Sequence, residues 1–375
     1  MNTLTKQKIP LLDLNAQYEN IKEEVKSKLL EIFDSKWFIN GPEVDALEEN
    51  IARYCNVKYA VGVSSGSDAL IVALMTLNIG QNDEVITTPF SFFATAGSIS
   101  RVGAKPIFCD INPDTFNIDP DQIESKITSR TKAIMPVHLF GQCADMDKIT
   151  KIANKHNLSI IEDAAQAIGS SYISENGLKK AGSFGDIGCF SFFPSKNLGA
   201  CGDGGVITTN NEELFHKIKS LRNHGEVKRY HHQYVGGNFR LDAIQAAVLN
   251  IKINHLDKQH EGRKKNANFY NKNLSEATNK PIIFEKCNTI YNQYTLKVKN
   301  RDNFQQYLND FTIGNNIYYP IPLHLQECFK SLKYKEGDFP NAEKAAKEVI
   351  SLPIYSELTT EQLEYVSQVV NNYFN

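Results

Sequence analysis

The sequence lacks the cysteine patterns that disulfide frameworks and zinc sites require. It has 7 cysteines in 375 residues, and none of them forms a C-x-x-C pair or stands near a paired histidine spacing. An odd number of scattered cysteines is typical of free thiols in a reducing cytosol. We therefore expect neither a structural disulfide nor a metal site.

An excess of charge of one sign is also missing. The 41 basic and 43 acidic side chains leave a formal net charge of −2, which argues against a nucleic-acid binder and against a polybasic membrane-surface protein. Long apolar runs are missing too. The first residues, Met-Asn-Thr-Leu-Thr-Lys-Gln-Lys, contain no apolar leader, and no run approaches the length of a bilayer span. We expect a cytoplasmic protein without nucleic-acid or membrane partners.

The sequence does contain enough apolar residues for large cores. Hydrophobic residues make up 41% and aromatic residues 10% of the chain, which is typical of a folded protein. Its length exceeds what one core usually serves. We predict a large α/β domain over residues 1–254, including the N-terminal helices, and a smaller α+β domain over residues 255–375.

Short apolar runs alternate with helical patterns in the first half of the chain. Helical spacing of apolar residues predicts two helices before residue 55, one over 18–34 and one behind Pro42. The apolar runs that follow are 59–63, 84–88, 105–109, 132–137 and 158–161. This alternation predicts a mostly parallel sheet flanked by helices, an α/β fold. Beyond residue 209 the patterns predict helices at 212–222, 241–268, 303–311 and from 360, and strands near 291–298 and 316–319.

The segment Ser64-Ser65-Gly66-Ser67-Asp68 leads from a predicted strand into a helix. Gly66 permits close approach of the backbone, Ser67 offers a hydroxyl, and the unpaired N–H groups of a first helical turn favour an anion such as phosphate. An ordinary serine N-cap accounts for the same residues. No G-x-G-x-x-G and no Walker lysine is present, so the usual dinucleotide and NTP cradles are not supported.

Two acidic residues, Glu162 and Asp163, follow the apolar run at 158–161. The carboxyl edge of a parallel sheet is where α/β folds bind ligands, so a carboxylate there is placed to face a cofactor. The alternative is a helix-capping Asp163 with Glu162 in solvent.

A single lysine, Lys196, stands in a loop rich in glycine after the apolar strand that ends near Ser191. Partial desolvation in such a loop lowers the pKa of an amine, and an amine nucleophile for Schiff-base chemistry needs a lowered pKa. Surface loops also contain lysines, so the loop alone leaves both interpretations open.

Together these segments resemble a known family. Ser-Phe-Phe-Pro-Ser-Lys-Asn-Leu-Gly followed by Gly-Asp-Gly-Gly, with Glu-Asp-Ala-Ala-Gln and Ser-Gly-Ser-Asp-Ala-Leu upstream, resembles the sugar aminotransferases of the DegT/DnrJ/EryC1/StrS family over nearly the whole chain. These are fold type I pyridoxal-phosphate enzymes. The resemblance implies that fold and pyridoxal 5′-phosphate as cofactor.

The resemblance implies two catalytic residues, Lys196 as the Schiff-base lysine and Asp163 as the carboxylate that faces the pyridine nitrogen. Further residues that it implies for the cofactor are Gly66, Ser67 and Ser191 at the phosphate, Gln166 near the phenolic oxygen, Phe92 stacked on the ring, and Asn238 reaching the phosphate from a second subunit. It therefore implies a homodimer with shared active sites.

The resemblance also implies residues that contact the substrate. Arg240 is our prediction for a substrate anion, since guanidinium groups suit diphosphate and carboxylate oxygens. In the small domain the predicted residues are Tyr318, Tyr319 and His324. Tyrosines before a proline are also common packing residues at a strand end. Many relatives carry His-Tyr-Pro where this chain has Tyr318-Tyr319-Pro320, a departure that leaves the sugar open.

The expected reaction is transfer of an amino group from L-glutamate to a nucleotide-linked keto-sugar in the synthesis of lipopolysaccharide or other polysaccharide precursors. A 3-keto sugar linked to UDP or dTDP is favoured, and amination of a 4-keto sugar remains open. A pyridoxamine-dependent sugar dehydratase is disfavoured, because such relatives replace the Schiff-base lysine with histidine. A regulatory subunit without activity is disfavoured by the intact set of site residues.

Overall fold

Strands and helical segments alternate between residues 59 and 163. The structure is a computed structural model that describes residues 6–374; the first five residues and the last one lie outside the described part. The strands are β1 Tyr59–Val63, β2 Glu84–Thr87, β3 Lys105–Phe108, β4 Thr131–Ile134, β5 Ser159–Asp163, β6 Ser171–Ser174, β7 Gly177–Lys180, β8 Ile187–Ser191, β9 Gly205–Thr209, β10 Glu226–Lys228, β11 His231–His232, β12 Cys287–Asn288, β13 Tyr294–Lys297 and β14 Val349–Leu352.

Twelve α-helices lie before, between and after these strands within the described residues. They are α1 Leu14–Glu19, α2 Lys22–Ser35, α3 Pro42–Cys55, α4 Gly66–Thr76, α5 Ala94–Arg101, α6 Met146–His156, α7 Glu212–Arg222, α8 Ala243–Ile253, α9 Leu256–Asn273, α10 Arg301–Asp310, α11 Pro340–Glu348 and α12 Thr360–Phe374. None of the helices in this part of the chain is both long and apolar enough to cross a bilayer.

A seven-stranded sheet forms the centre of the molecule, in the order β1-β9-β8-β5-β4-β2-β3. β9 runs antiparallel to both of its neighbours, and the pairs β8–β5, β5–β4, β4–β2 and β2–β3 are parallel. The predicted apolar runs correspond to β1 through β5 within a few residues, which confirms the predicted mostly parallel α/β sheet. These strands are apolar along their length because helices cover both faces of such a sheet.

The helix predictions are wrong in two places. The N-terminal part forms three helices where two were predicted, since α1 ends at Glu19 and α2 begins at Lys22. The predicted helix over 241–268 is interrupted at Asn254 and His255, between α8 and α9. Apolar spacing continues through both interruptions, so periodicity alone does not reveal them.

The C-terminal part has a core of its own. Ile9 from the N-terminal segment joins a buried cluster whose other members lie between Ala267 and Val370 and include Tyr270, Tyr294 and Phe304. β13 and β14 pair antiparallel beside it. A separate core is what a smaller C-terminal domain requires, and the boundary at residues 254–255 stays a prediction.

The predicted strand near 316–319 does not form. Asn316 makes only an isolated bridge to Ser351, and its side-chain oxygen accepts the N–H of Ile317 at 2.9 Å. Pro320, four residues on, has no N–H to extend a ladder. The segment therefore continues as a loop, in which Tyr318 and Tyr319 are partly buried.

Candidate active site

Four loops that carry predicted site residues leave the central sheet at one edge. β5 ends at Asp163, β8 ends at Ser191, β1 leads into α4 at Gly66, and β2 leads to Phe92. β8 and β5 are parallel neighbours. β1 points in the same direction as β8, because both pair antiparallel with β9. Since the carboxyl ends of these strands share an edge, the fold brings the four loops together.

The Asp163 carboxylate is buried and hydrogen-bonded at this edge. Its side chain accepts the hydroxyl proton of Thr95 at 2.7 Å and the N–H of Ala165 at 3.3 Å. Burial raises the pKa of Asp163, and the Thr95 hydrogen bond and the nearby Lys196 charge act against that rise. The carboxylate is thus held in place for a cationic partner that would stabilise its charged form.

The Lys196 amine lies close enough to Asp163 for the two charges to interact. Burial lowers the pKa of Lys196 to about 8, and the only opposing influence is the charge of Asp163. The loop around it is tied down by a hydrogen bond from the Lys196 N–H to the Phe193 carbonyl at 2.8 Å and by one from Ala200 to Phe192 at 2.7 Å. A lowered pKa increases the neutral fraction of the amine, and the neutral form in a fixed loop is suited to attack an aldehyde carbon.

The loop between β1 and α4 forms a cradle against the end of β8. Ser65 caps α4 by accepting the Asp68 N–H at 3.0 Å, so the alternative of a serine cap is correct for Ser65. The N–H groups of Gly66 and Ser67 have no hydrogen-bond acceptor within residues 6–374. A Cβ on Gly66 would lie 2.6 Å from Ser191 Cβ. Glycine is therefore required where the two loops meet, and the unpaired N–H groups beside the Ser191 hydroxyl fit a phosphate.

Gln166, Tyr319 and Phe92 form a second group at the site. Gln166 accepts the Phe140 N–H at 2.8 Å and donates through Nε2 to the Tyr319 hydroxyl at 3.0 Å. The Tyr319 ring lies 6.2 Å from the Phe92 ring, and Phe92 remains 57% exposed. The structure thus brings Tyr319 of the small domain into the site, beside an aromatic ring with a free face.

The buried Glu162 side chain fixes neighbouring backbone segments near this edge through hydrogen bonds, a role that the sequence did not reveal. The alternative interpretation of the sequence placed Glu162 in solvent. It is wrong, because the exposed fraction of Glu162 is 0%. Its carboxylate accepts N–H groups of Gly182, Phe184 and Gly185 at 2.8, 2.7 and 2.8 Å. It also pairs with His138 Nε2 at 2.9 Å. His138 Nδ1 accepts the Ala144 N–H at 3.1 Å, so Nε2 carries the proton that bonds Glu162.

Arg240 lies beside the cradle. Its backbone forms an antiparallel bridge with Val63 at the end of β1. Its guanidinium donates to Asn223 Oδ1 at 2.7 Å, and the buried Nε has no partner within the described residues. Asn238, two residues earlier, is exposed. The Arg240 backbone thus lies next to the end of β1, and Asn238 lies on the surface of this chain.

The two remaining predicted substrate residues have different surroundings. Tyr318 is partly buried beside Tyr319, with ring centroids 5.8 Å apart. The His324 side chain is 0% exposed and lies 3.1 Å from Glu343 through Nε2. Its ring packs 4.7 Å from that of Phe339. The structure does not bring His324 to the site, because this packing encloses the imidazole, and we no longer assign it a substrate contact.

The geometry is that of an amine, a carboxylate and a phosphate cradle at one sheet edge. A family model described as the DegT/DnrJ/EryC1/StrS aminotransferase family matches residues 19–371. The chain belongs to this family. The family predicted from the sequence motifs is therefore confirmed.

Individual relatives are similar to this chain over nearly their full lengths. A pleiotropic regulatory protein of Geobacillus stearothermophilus is 49% identical over 370 residues, which cover 98% of each chain. The UDP-N-acetyl-3-dehydro-alpha-D-glucosamine 3-aminotransferase of Acidithiobacillus ferrooxidans is 42% identical over 363 residues, 96% of this chain and 97% of the relative. The crystal structure of S. venezuelae DesV in complex with a ketimine intermediate matches with a TM-score of 0.94 and 37% identity, covering 98% of each chain. This match confirms the predicted aminotransferase fold.

Proposed function

We propose that this member of the aminotransferase family transfers an amino group from L-glutamate to a nucleotide-linked 3-keto sugar, with pyridoxal 5′-phosphate as cofactor. The observation that carries the proposal is that the Lys196 amine, whose pKa desolvation lowers to about 8, lies close enough to the buried Asp163 carboxylate for their charges to interact. The phosphate cradle lies at the same sheet edge.

The described residues fit the cofactor. The N–H groups of Gly66 and Ser67 and the hydroxyl of Ser191 would hold its phosphate, and the contact that leaves no room for a Cβ on Gly66 defines the width of that cradle. Phe92 offers its exposed ring face for stacking. When bound, the cofactor supplies an aldehyde that carries the amino group and a protonated ring that accepts electrons.

Asp163 and Lys196 have separate roles in proton control. The Asp163 carboxylate keeps a proton at the pyridine nitrogen, since a buried anion beside a cation stabilises the charged form of both. Lys196 Nζ accepts the proton of the substrate C–H bond and returns it, which requires a neutral amine near physiological pH. Burial gives Lys196 a pKa of about 8, near the operating range of such a base.

The substrate proposal rests on Arg240 and on relatives. The Arg240 backbone bridges Val63 at the end of β1, next to the segment that forms the phosphate cradle, and a guanidinium group is suited to a diphosphate or carboxylate oxygen. The relative from Acidithiobacillus ferrooxidans is named for amination at C3 of a UDP-linked sugar. This name favours a 3-keto over a 4-keto substrate, and with it a role in making glycan or polysaccharide precursors. Tyr318 and Tyr319 are the small-domain residues that we propose to contact the sugar.

We also propose a homodimer in which Asn238 of one chain completes the site of the other. Asn238 is exposed in the single chain. An apolar surface near the end of α2 is exposed too, namely Leu30 (65%), Phe33 (53%), Trp37 (60%) and Ile39 (50%). A cluster of this kind marks an interaction surface. The seven free thiols, all within the described residues, fit the proposed cytoplasmic location.

The test of the reaction is a coupled assay. The purified enzyme is incubated with pyridoxal phosphate, L-glutamate and a panel of UDP- and dTDP-linked 3- and 4-keto sugars, and 2-oxoglutarate release is measured. We expect release with a 3-keto sugar. Release only with a 4-keto sugar would correct the position of amination. Consumption of a sugar without 2-oxoglutarate release would instead indicate a dehydratase.

The test of the shared site is a mixture of two inactive variants. Lys196→Ala and Asn238→Ala chains, co-expressed with different tags, should form hybrid dimers in which one of the two sites is intact. We expect activity to return in the hybrid fraction only. Activity that is absent from hybrids of confirmed composition would refute the shared site and leave the reaction itself untouched.

A regulatory role is the second candidate, because the relative from Geobacillus stearothermophilus is named as a regulatory protein. The chain keeps Lys196, Asp163 and the cradle in one site, which a purely regulatory protein does not need. A colourless purified protein that remains colourless after addition of pyridoxal phosphate would favour regulation over catalysis.

A further inference from the structure

Two buried hydroxyl groups stand behind the Asp163 carboxylate, on the side away from solvent. Thr95 lies in the first turn of α5 and is 0% exposed, and Ser91, in the loop before α5, is 4% exposed. The Thr95 hydroxyl lies 2.7 Å from Asp163 Oδ2, and the Ser91 hydroxyl lies 2.8 Å from Thr95 Oγ1. The three side chains therefore form a continuous hydrogen-bonded chain that ends on the carboxylate.

The number of available protons determines which group donates in each of these two hydrogen bonds. A hydroxyl has one proton to donate, and an ionised carboxylate only accepts. The Thr95 proton is therefore directed at Asp163 Oδ2, and Ser91 must donate its own proton to Thr95 Oγ1. Both hydroxyls point toward the negative charge. Because hydrogen bonds to a charged acceptor are stronger and shorter than neutral ones, this arrangement favours the ionised carboxylate in one orientation.

We propose that Thr95, oriented by Ser91, is a positioning residue that holds the Asp163 carboxylate ionised and aimed at the pyridine nitrogen of the bound cofactor. The inference rests on the proposed cofactor site. It goes beyond that site in one respect. The buried Asp163 carboxylate depends on a hydroxyl donor from another segment, which lies 68 residues away in sequence. Without that donor, burial alone would favour the neutral acid, which cannot keep a proton on the ring nitrogen.

Other groups around Asp163 do not replace Thr95. The Ala165 N–H reaches Oδ1 at the longer distance of 3.3 Å. The titratable groups that share the electrostatic environment of Asp163 are Lys196, whose charge lowers its pKa, His138, which carries its ring proton on Nε2, and Cys189 and Tyr319, whose own pKa values are raised mainly by burial and further by the Asp163 charge. Among the described residues, Thr95 therefore provides the shorter of the two hydrogen bonds that the Asp163 carboxylate accepts.

The experiment observes the ring nitrogen directly. The wild type and Thr95→Val are loaded with pyridoxal phosphate that carries ¹⁵N in the ring, and the ¹⁵N resonance is followed between pH 6 and 9. Valine has the shape of threonine without the donor. We expect a protonated nitrogen throughout in the wild type. In Thr95→Val we expect the resonance to move toward the neutral position, with its titration displaced by about one pH unit or more.

Controls separate this effect from a general loss of packing. Thr295 is also buried, at 2% exposed, and its hydroxyl lies 2.8 Å from that of Ser351 in the other core. Thr295→Val makes the same chemical change away from the site and should leave the ¹⁵N titration as in the wild type. Thr95→Ser retains the hydroxyl and should restore the wild-type resonance.

Each outcome has a distinct meaning. A Thr95→Val titration that coincides with the wild type would overturn the inference. If that variant does not fold, Ser91→Ala provides the same test with a smaller displacement in the same direction, and an unchanged titration would again overturn it. A wild type that gives no bound ¹⁵N signal at all would instead refute the proposed cofactor site.

Discussion

Replacing Gly66 with alanine is the sharpest test of the phosphate cradle, because two effects of opposite sign compete. The added Cβ would lie 2.6 Å from Ser191 Cβ and 3.1 Å from Ser191 Cα. Carbon atoms in contact are usually ~3.5–4.0 Å apart. The second of these atoms is backbone, so rotation of the serine side chain does not relieve the overlap. Alanine is meanwhile a better helix former than glycine by about 1 kcal/mol.

The expected loss of cofactor affinity follows from the displacement that the added methyl group causes. The end of β8 has to shift by about 1 Å to accept the methyl group, and that shift displaces the Ser191 hydroxyl from the cradle. A hydrogen bond to a charged group contributes about 1.5–3 kcal/mol. Loss of one such bond raises the dissociation constant of pyridoxal phosphate about 10- to 150-fold. Stability without cofactor should change much less, since the gain in helix propensity offsets part of the strain.

The assay is titration of the cofactor-free protein with pyridoxal phosphate, followed by absorbance, together with a thermal melt. Gly80→Ala is the matched control, because the nearest atom to its added Cβ is the Val102 carbonyl at 3.5 Å, an ordinary contact. It should bind the cofactor as the wild type does. A folded Gly66→Ala protein with wild-type affinity would refute the assignment of the cradle.

Three further predictions concern the charged residues of the site. Asp163→Asn should reduce turnover nearly to background while the cofactor still binds, since an amide lacks the charge that keeps the ring nitrogen protonated; rates like those of the wild type would contradict this role. Burial lowers the pKa of Lys196 to about 8, so its neutral fraction rises as the pH increases through that value. Acylation of Lys196 in the cofactor-free protein, measured by mass spectrometry, should therefore have a midpoint near pH 8, and a midpoint as high as that of a model lysine compound would argue against desolvation. Arg240→Glu should raise the KM for the sugar about tenfold or more with a smaller change in kcat, and an unaltered KM would exclude the proposed anion contact.

The sequence was sufficient for the features that depend on local pattern. Apolar runs predicted β1 through β5, because strands covered on both faces must be apolar along their length. The glycine-rich loop around Lys196 left a desolvated amine and an ordinary surface lysine both open, and burial in the structure lowers the pKa of Lys196. The motif Glu162-Asp163 placed a carboxylate at the sheet edge, where Asp163 now lies.

The features that the sequence did not reveal depend on contacts between distant segments. Thr95 bonds Asp163 across 68 positions, and His138 bonds Glu162 across 24. Neither pair has a local signal, because a lone threonine or histidine in an apolar stretch is common. The surroundings of His324 have no local signal either, since only the packed structure shows that Glu343 and Phe339 lie against it.

The central claim is that Lys196 Nζ binds the aldehyde of pyridoxal phosphate. The most direct measurement is borohydride reduction of the purified holoenzyme, followed by digestion and mass spectrometry. The account predicts a phosphopyridoxyl group on the peptide that contains Lys196, and its loss in Lys196→Ala. A label on a different lysine, or no label on a protein that is saturated with cofactor, would contradict the account.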